Sequence, residues 1–213
     1  SAVLAMDLPW SKLDVTTFSW QKVLGGEAQH GIIVLSPRAV ERLESYKPSW
    51  PIPKLFRLTS KGKFQSKIFN GSTINTPSML CIEDAIHSLK WVDSIGGANT
   101  MIKRSLSNLQ VIEKWESKTN WIEFLAKNKD TRSSTSICLK IIDPWFLQLS
   151  TDSKKEILQS FFSLLEEKEA AYDINHYPSA PPGIRIWGGG TVETSNIELL
   201  LPWLDWAWEY IEK

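Results

Sequence analysis

The sequence has 213 residues, of which 42% are hydrophobic, a composition typical of a globular protein with one sizeable core or two modest ones. Lys plus Arg and Asp plus Glu number 24 each, so no net charge attracts nucleic acid or an anionic membrane surface. The apolar runs are shorter than the roughly 18 residues that cross a bilayer, and no basic leader is visible. These features predict neither nucleic acid nor a membrane as a partner.

The two cysteines, Cys81 and Cys138, have no paired metal-ligand spacing, and the three histidines lie far apart in the sequence. We therefore expect no metal site and no disulfide framework. A reduced, cytoplasmic setting is the resulting prediction for localisation.

The first half of the sequence predicts two strands, a short helix, a hairpin and two further helices. β-Branched and aromatic residues favour strands at 14–20 and 30–36, joined by a Gly-Gly turn. A proline at position 37 opens a short amphipathic helix, and alternation around a glycine favours a small hairpin within 54–72. Helical periodicity over 76–116, interrupted by two glycines, predicts two helices, the second of them long.

The second half alternates between strands and helices. Apolar runs predict strands at 135–142 and 183–189, and helical periodicity predicts helices at 153–169 and 197–213. This order is typical of an α/β layer domain. Trp203, Trp206 and Trp208 recur at near-helical spacing within the last helix, which favours core or interface packing over a ligand stack.

Lys22 stands at the end of a strand-like run and directly before a glycine turn, in SWQKVLGGE. From this position an amine can point into a cleft at the edge of a sheet. A lysine after a strand is, however, far more often a solvated surface cation than a nucleophile. Spacing alone leaves both interpretations open.

Two further positions are open to two interpretations each. Asn75 and Thr76 precede Pro77 and a helical pattern, so they either cap that helix or bind a phosphate at its N-terminus. Arg185 lies within the apolar strand GIRIW, where an unpaired guanidinium would be costly. Its partner is either a bidentate substrate carboxylate or an acidic side chain of the same chain.

Four stretches of the chain form a recognisable series: DVTTFSWQKVLGGEAQHGIIVLSPRAVERL, INTPSMLCIEDAIHSLKW, TRSSTSICLKIID and PPGIRIWGGGTVETSNIELLLPWLDWA. In this order, and across essentially the whole chain, they resemble the phosphoserine aminotransferases, within the class V, fold-type I group of pyridoxal-phosphate enzymes. The resemblance covers only the C-terminal half or so of such an enzyme. It implies an α/β fold, with the remainder of the large cofactor-binding domain at 1–104 and the small C-terminal domain at 105–213.

The resemblance also implies roles for the residues around the cofactor, pyridoxal 5'-phosphate. Lys22 matches the lysine that forms an imine with the cofactor aldehyde and then acts as general base and acid at the substrate Cα. Gln21 would contact the cofactor phosphate region, the alternative being a polar strand residue that faces solvent. Asn75 and Thr76 match a pair that reaches the cofactor phosphate of the neighbouring subunit. A homodimer with active sites shared across its interface is therefore implied.

For the substrate, the resemblance implies that Arg185 holds the α-carboxylate. Family members carry a basic residue close upstream, where this sequence has Asn-His-Tyr-Pro, and His176 is a candidate replacement. An exposed loop histidine is the equal alternative. Arg57 and Arg132 are further basic candidates, for which a surface position is expected.

The implied reaction is amino transfer between glutamate and 3-phosphohydroxypyruvate, giving O-phosphoserine and 2-oxoglutarate in serine biosynthesis. The alternatives are another class V transaminase, acting on alanine or serine with glyoxylate, and a non-catalytic fragment. Family residues that pair with the pyridine nitrogen and stack on the cofactor lie upstream of the lysine, where this chain has only 21 residues. The sequence also begins without a methionine. We therefore expect a fragment that is inactive and poorly stable alone.

Overall fold

The computed structural model describes residues 1–212, and their contacts separate two compact units. The first unit contains Ser1 and Leu8–Trp91, and the second contains Ala2–Asp7 and the described residues from Val92 onward. The expected boundary between residues 104 and 105 concerns the domains of a whole enzyme and stays a prediction.

The first unit contains the predicted pair of strands, the short helix and the hairpin. It also contains most of the next predicted helix. The two longer strands are antiparallel, with Val15 opposite Leu35 and Phe18 opposite Ile32. The hairpin strands are two residues each and meet at Gly62, as predicted. In chain order the elements are β1 (Val15–Phe18), β2 (Ile32–Leu35), α1 (Pro37–Ser45), β3 (Thr59–Ser60), β4 (Lys63–Phe64) and α2 (Met79–Ser94).

A polar contact ties the start of β1 to the start of α1. The Ser36 hydroxyl accepts a hydrogen bond from the Ala39 N–H (3.1 Å) and donates one to Asp14 Oδ1 (2.7 Å). The Arg38 guanidinium hydrogen-bonds the same carboxylate and, with Ser36, holds the pKa of Asp14 below its usual range. Because this pKa is lowered, the contact stabilises the fold above the unfolded-state pKa and is lost as the pH falls through the folded value.

The core of the first unit is small. Trp20 packs against Cys81 and Ala85 of α2, with Leu24 and Ile32 at the edge. Many other large apolar side chains of this unit are exposed, among them Trp50, Leu55, Phe56, Met79 and Leu80. Burial of these side chains by another chain or segment would stabilise this unit.

The second unit is built on a three-stranded antiparallel sheet in the order β5-β6-β7. Side chains of the central strand alternate, so that Ile137, Leu139 and Ile141 are buried. The predicted strands and helices are confirmed, except that residue 213 of the last helix lies outside the described residues, and β5 and α4 are additional elements. The elements are α3 (Ala98–Glu116), β5 (Ile122–Phe124), β6 (Ser136–Ile141), α4 (Pro144–Gln148), α5 (Thr151–Glu167), β7 (Gly183–Trp187) and α6 (Thr194–Glu212).

Tryptophans fill much of the core of this unit. The rings of Trp121 and Trp208 stack at 4.8 Å, and the Trp121 and Trp115 indole N–H groups donate to Asp205 (2.9 and 2.8 Å). The predicted tryptophan stripe of α6 is split, because Trp208 is buried whereas Trp203 and Trp206 are exposed in part. No helix of the described residues is both long and apolar enough to cross a membrane.

Asn108, a fully buried residue of α3, holds the glycine loop that follows β7. Its Nδ2 lies 3.1 Å from the Gly188 oxygen and 3.2 Å from the Val192 oxygen, and its Oδ1 accepts a hydrogen bond from the Thr194 hydroxyl (2.7 Å). One side chain therefore satisfies loop carbonyls and the start of α6 together.

We expect Asn108→Ala to lower the free energy of unfolding by about 1–3 kcal/mol, because buried carbonyl groups lose their donor. Urea unfolding of the full-length protein, followed by tryptophan fluorescence, measures the change. Asn99→Ala, at an exposed position of the same helix, is the matched control. Equal effects of the two substitutions would contradict the bracing role.

Candidate active site

Lys22 lies in a turn that directly follows β1. The Gly25 N–H donates to the Lys22 carbonyl (3.1 Å), and the Gly26 N–H donates to the Trp20 carbonyl (3.1 Å). The Lys22 side chain is exposed, and its amine has no ion pair or hydrogen bond within residues 1–212. The turn thus leaves Lys22 Nζ accessible to a ligand.

Trp20 anchors this turn. Only 7% of its surface is exposed, and its ring packs on Cys81 and Ala85. A Cβ at position 26 would lie 2.8 Å from Trp20 Cδ1, so glycine is needed for the turn to close over the ring. The residue before Gln21 and Lys22 is therefore fixed to α2.

Gln21 is half-buried, and its Oε1 is buried without a hydrogen-bond partner among the described residues. Phosphate oxygens accept hydrogen bonds, so contact with a cofactor phosphate region would use the Nε2 group of Gln21 as donor rather than Oε1.

Asn75 and Thr76 are exposed and do not cap α2. The helix begins at Met79, and the Ser78 carbonyl accepts the hydrogen bond from the Ile82 N–H (3.2 Å). Within residues 1–212, the side chains of Asn75 and Thr76 form no hydrogen bond. Both side chains are free for a ligand outside this chain, as a role at a neighbouring subunit's site requires.

Arg185 and His176 lie together in the second unit. The Arg185 guanidinium donates to the carbonyl and carboxylate of Asp173 (3.2 and 3.3 Å) and lies 4.4 Å from the centre of the Tyr177 ring. The acidic side chain predicted as one alternative for Arg185 is thus present. His176 is half-buried rather than exposed, and its Nδ1 is buried without a partner in the described part of the chain.

Among the remaining candidates, Arg57 is exposed as expected, and its Nε donates to the Ile52 carbonyl (2.6 Å). Cys81 is buried in α2 and Cys138 lies in β6, as predicted. The surface position expected for Arg132 is wrong: its side chain is 10% exposed and pairs with Glu113 at 2.7 Å. Over residues 1–212, no cluster of three or more His, Cys, Asp or Glu side chains is arranged to hold a metal ion.

Sequence interpretation missed three residues at these sites. Asp173 and Tyr177 contact Arg185, and His30 contacts Ser78, two residues after Thr76. The loop containing Asp173 has no periodic pattern, and nothing in the sequence relates it to Arg185. No sequence pattern relates His30 to Ser78, because 48 residues separate them.

Comparison with known proteins shows which proteins this chain resembles. No family model matches the chain. Phosphoserine aminotransferase from Methanosarcina mazei (strain ATCC BAA-159 / DSM 3647 / Goe1 / Go1 / JCM 11833 / OCM 88) is 52% identical over 212 residues, which is 100% of this chain and 55% of that protein. Over its whole length the chain is similar to about half of a phosphoserine aminotransferase. It spans about half the length of the curated relatives that it matches.

Solved structures agree with the family at the level of the fold. Phosphoserine aminotransferase from Bacillus circulans subsp. alkalophilus is 16% identical, with a TM-score of 0.73 over 99% of this chain and 51% of that one. Alanine–glyoxylate aminotransferase from Nostoc sp. is 15% identical, with a TM-score of 0.66 over 92% and 48%. The fold is that of the fold-type I aminotransferases, as the sequence predicted, and the fold alone does not separate these two activities.

The Arg185–Asp173 pair is expected to be loose, because 89% of the Asp173 side chain is exposed. We predict that Asp173→Asn changes the free energy of unfolding by less than about 0.5 kcal/mol. Glu113→Gln, at the buried Arg132 pair, is the comparison and is expected to cost at least about 1 kcal/mol. Urea unfolding measures both. An equal loss at Asp173 would make its pair with Arg185 structural.

Proposed function

We propose that the full-length protein containing this chain transfers an amino group between glutamate and 3-phosphohydroxypyruvate, forming O-phosphoserine and 2-oxoglutarate in serine biosynthesis. The observation that carries the proposal is the 52% identity to a phosphoserine aminotransferase along the whole of this chain. The free cysteines Cys81 and Cys138 accord with a reducing, cytoplasmic setting.

The proposal includes pyridoxal phosphate as cofactor. When bound, it supplies an aldehyde for covalent attachment to a lysine and an electron sink for the substrate Cα. Lys22 is exposed and its Nζ has no partner among the described residues, and the Nε2 group of Gln21 is a donor of the kind that a phosphate requires. In this proposal Gln21, Lys22, Asn75 and Thr76 hold the cofactor, the last two from the neighbouring subunit.

We assign the proton transfer to the same lysine. Lys22 Nζ would take a proton from the substrate Cα as general base and give it up at a second position as general acid. The flexible four-carbon side chain suits both positions, and the turn fixed by Trp20 keeps its Cα in place. One residue therefore serves as attachment point, base and acid.

A homodimer is part of the proposal, because Asn75 and Thr76 would complete the site of the neighbouring subunit. Exposed apolar side chains adjoin this segment: Met79 and Leu80 are 61% and 72% exposed. Covering them stabilises an interface through the hydrophobic effect. The same contact would bring the two polar residues to the partner's site.

For the substrate, we propose that Arg185 holds the α-carboxylate and that His176 contributes to anion binding. A bidentate carboxylate would replace Asp173, whose single long contact is exposed to solvent. Tyr177 would keep the guanidinium plane in place through its ring. The Nδ1 of His176 has no partner among the described residues and, when it carries a proton, would donate a hydrogen bond to the substrate phosphate or the side-chain carboxylate of glutamate.

The imine assignment predicts an absorbance band at about 400–430 nm when the full-length protein binds pyridoxal phosphate. Lys22→Arg keeps the charge but removes the nucleophilic amine, so we expect this band to vanish. Lys47→Arg, at an exposed position of the same unit, is the control and should retain the band. A band that persists in Lys22→Arg would overturn the assignment, and its absence from the wild type would favour a non-catalytic module.

The substrate assignment predicts that Arg185→Gln raises KM for glutamate roughly 100-fold, through the loss of a charge-assisted hydrogen bond pair. Arg42→Gln, at an exposed position of α1, should leave KM unchanged. Steady-state kinetics with 3-phosphohydroxypyruvate and with glyoxylate as acceptors completes the test. A higher kcat/KM for glyoxylate would favour the alternative function, a transaminase that acts on alanine or serine with glyoxylate. The shared fold is compatible with that activity.

A further inference from the structure

His30 has three unusual features together. Its backbone is left-handed, with φ of 58°, although it is not glycine. Its Nε2 accepts a hydrogen bond from the Ser78 N–H at 3.0 Å, across 48 residues of sequence. Its Nδ1 is buried and has no partner within the described residues.

Each of two features costs free energy that ordinary packing would not require. A left-handed backbone is strained for a residue with a Cβ, and a buried nitrogen without a partner has lost its water. The gain visible in this chain is the contact to Ser78 and an edge-on contact with the Trp20 ring at 5.5 Å. The geometry therefore relates the strain at His30 to the placement of Ser78.

The Ser78 N–H is close to the residues proposed to bind phosphate. Only Pro77, whose ring restricts its own φ, separates it from Thr76. The other contact described within this segment is local, from the Thr73 hydroxyl to the Asn75 carbonyl (2.8 Å). The hydrogen bond to His30 therefore joins the Asn75–Thr76 segment to the loop that carries Lys22.

We propose that His30 is a positioning residue that fixes the Asn75–Thr76 segment and thereby sets the cofactor affinity of the partner subunit's site. It lies in the loop that carries Lys22, which serves its own subunit's site. The inference rests on the proposed function, in which Asn75 and Thr76 act across the dimer. It adds a physical connection between the two sites of one dimer.

Amide hydrogen exchange in the cofactor-free, full-length protein tests the contact without relying on activity. His30→Leu removes the acceptor, so we expect exchange at the start of α2, including Ser78, to become about tenfold faster. His30→Gln restores an acceptor near the Nε2 position and should recover much of the protection. His87→Leu, at an exposed position of α2, is the control. Unchanged exchange in His30→Leu would overturn the proposal.

Mixed dimers decide in which site His30 acts. The absorbance band at about 400–430 nm requires a lysine-bound cofactor, so it reports only on a site that has Lys22. In the first dimer, one subunit carries Lys22→Ala and the other carries His30→Leu. The site that remains then receives its Asn75–Thr76 segment from a subunit with His30 intact. In the second dimer, one subunit carries both substitutions and the other is wild type. The remaining site then receives its Asn75–Thr76 segment from a subunit without His30.

We expect the first dimer to bind pyridoxal phosphate as tightly as a dimer of wild type and Lys22→Ala, and the second to bind it about tenfold more weakly. A weakened first dimer with an unaffected second would place the effect of His30 in its own site and overturn the proposal, as would equal affinities in both. Absence of the band from the wild-type homodimer would instead reject the proposed function itself. The failures of the two proposals are thus distinguishable.

Discussion

The burial of Trp20 is the constraint on which the geometry of the first unit depends. Its ring packs on Cys81 and Ala85, is met edge-on by His30, and leaves room only for glycine at position 26. Lys22 follows two residues later, so the starting point of its side chain is set by the packing of an indole ring rather than by the strand pair alone. A large aromatic side chain suits this purpose, since it buries much apolar area with few rotatable bonds.

The two units differ in how far they can hold their site residues in place without help. The second unit has a continuous core in which Phe146, Phe161 and Leu204 are fully buried, and Arg185 lies on a strand of its sheet. In the first unit, few apolar side chains are buried and Met79 and Leu80 are exposed. The residues proposed to bind the cofactor phosphate therefore belong to the unit that gains most from covering by another chain.

Much of the fold was predictable because its signals are local. Pro37 at the start of α1 and the glycines between α2 and α3 mark boundaries by backbone chemistry alone. The three-residue β5 is too short to show periodicity. The signal for α4 is a single helix cap, Asp143 followed by Pro144. The site was predictable in its residues through the family resemblance. Its contacts, such as Asp173 with Arg185, join distant segments and leave no pattern in the sequence.

The contact between His30 and Ser78 also limits how strongly the two proposed sites of a dimer depend on each other. A single hydrogen bond contributes about 0.5–1.5 kcal/mol net, which corresponds to a change in affinity of about tenfold at most. Such coupling is reciprocal, so a cofactor that binds the Asn75–Thr76 segment at one site would, to the same extent, stabilise the Lys22 loop of the other subunit. The geometry therefore favours graded communication between the sites over an all-or-none switch, because a single hydrogen bond supplies far less than the roughly 5.5 kcal/mol needed to invert a two-state population.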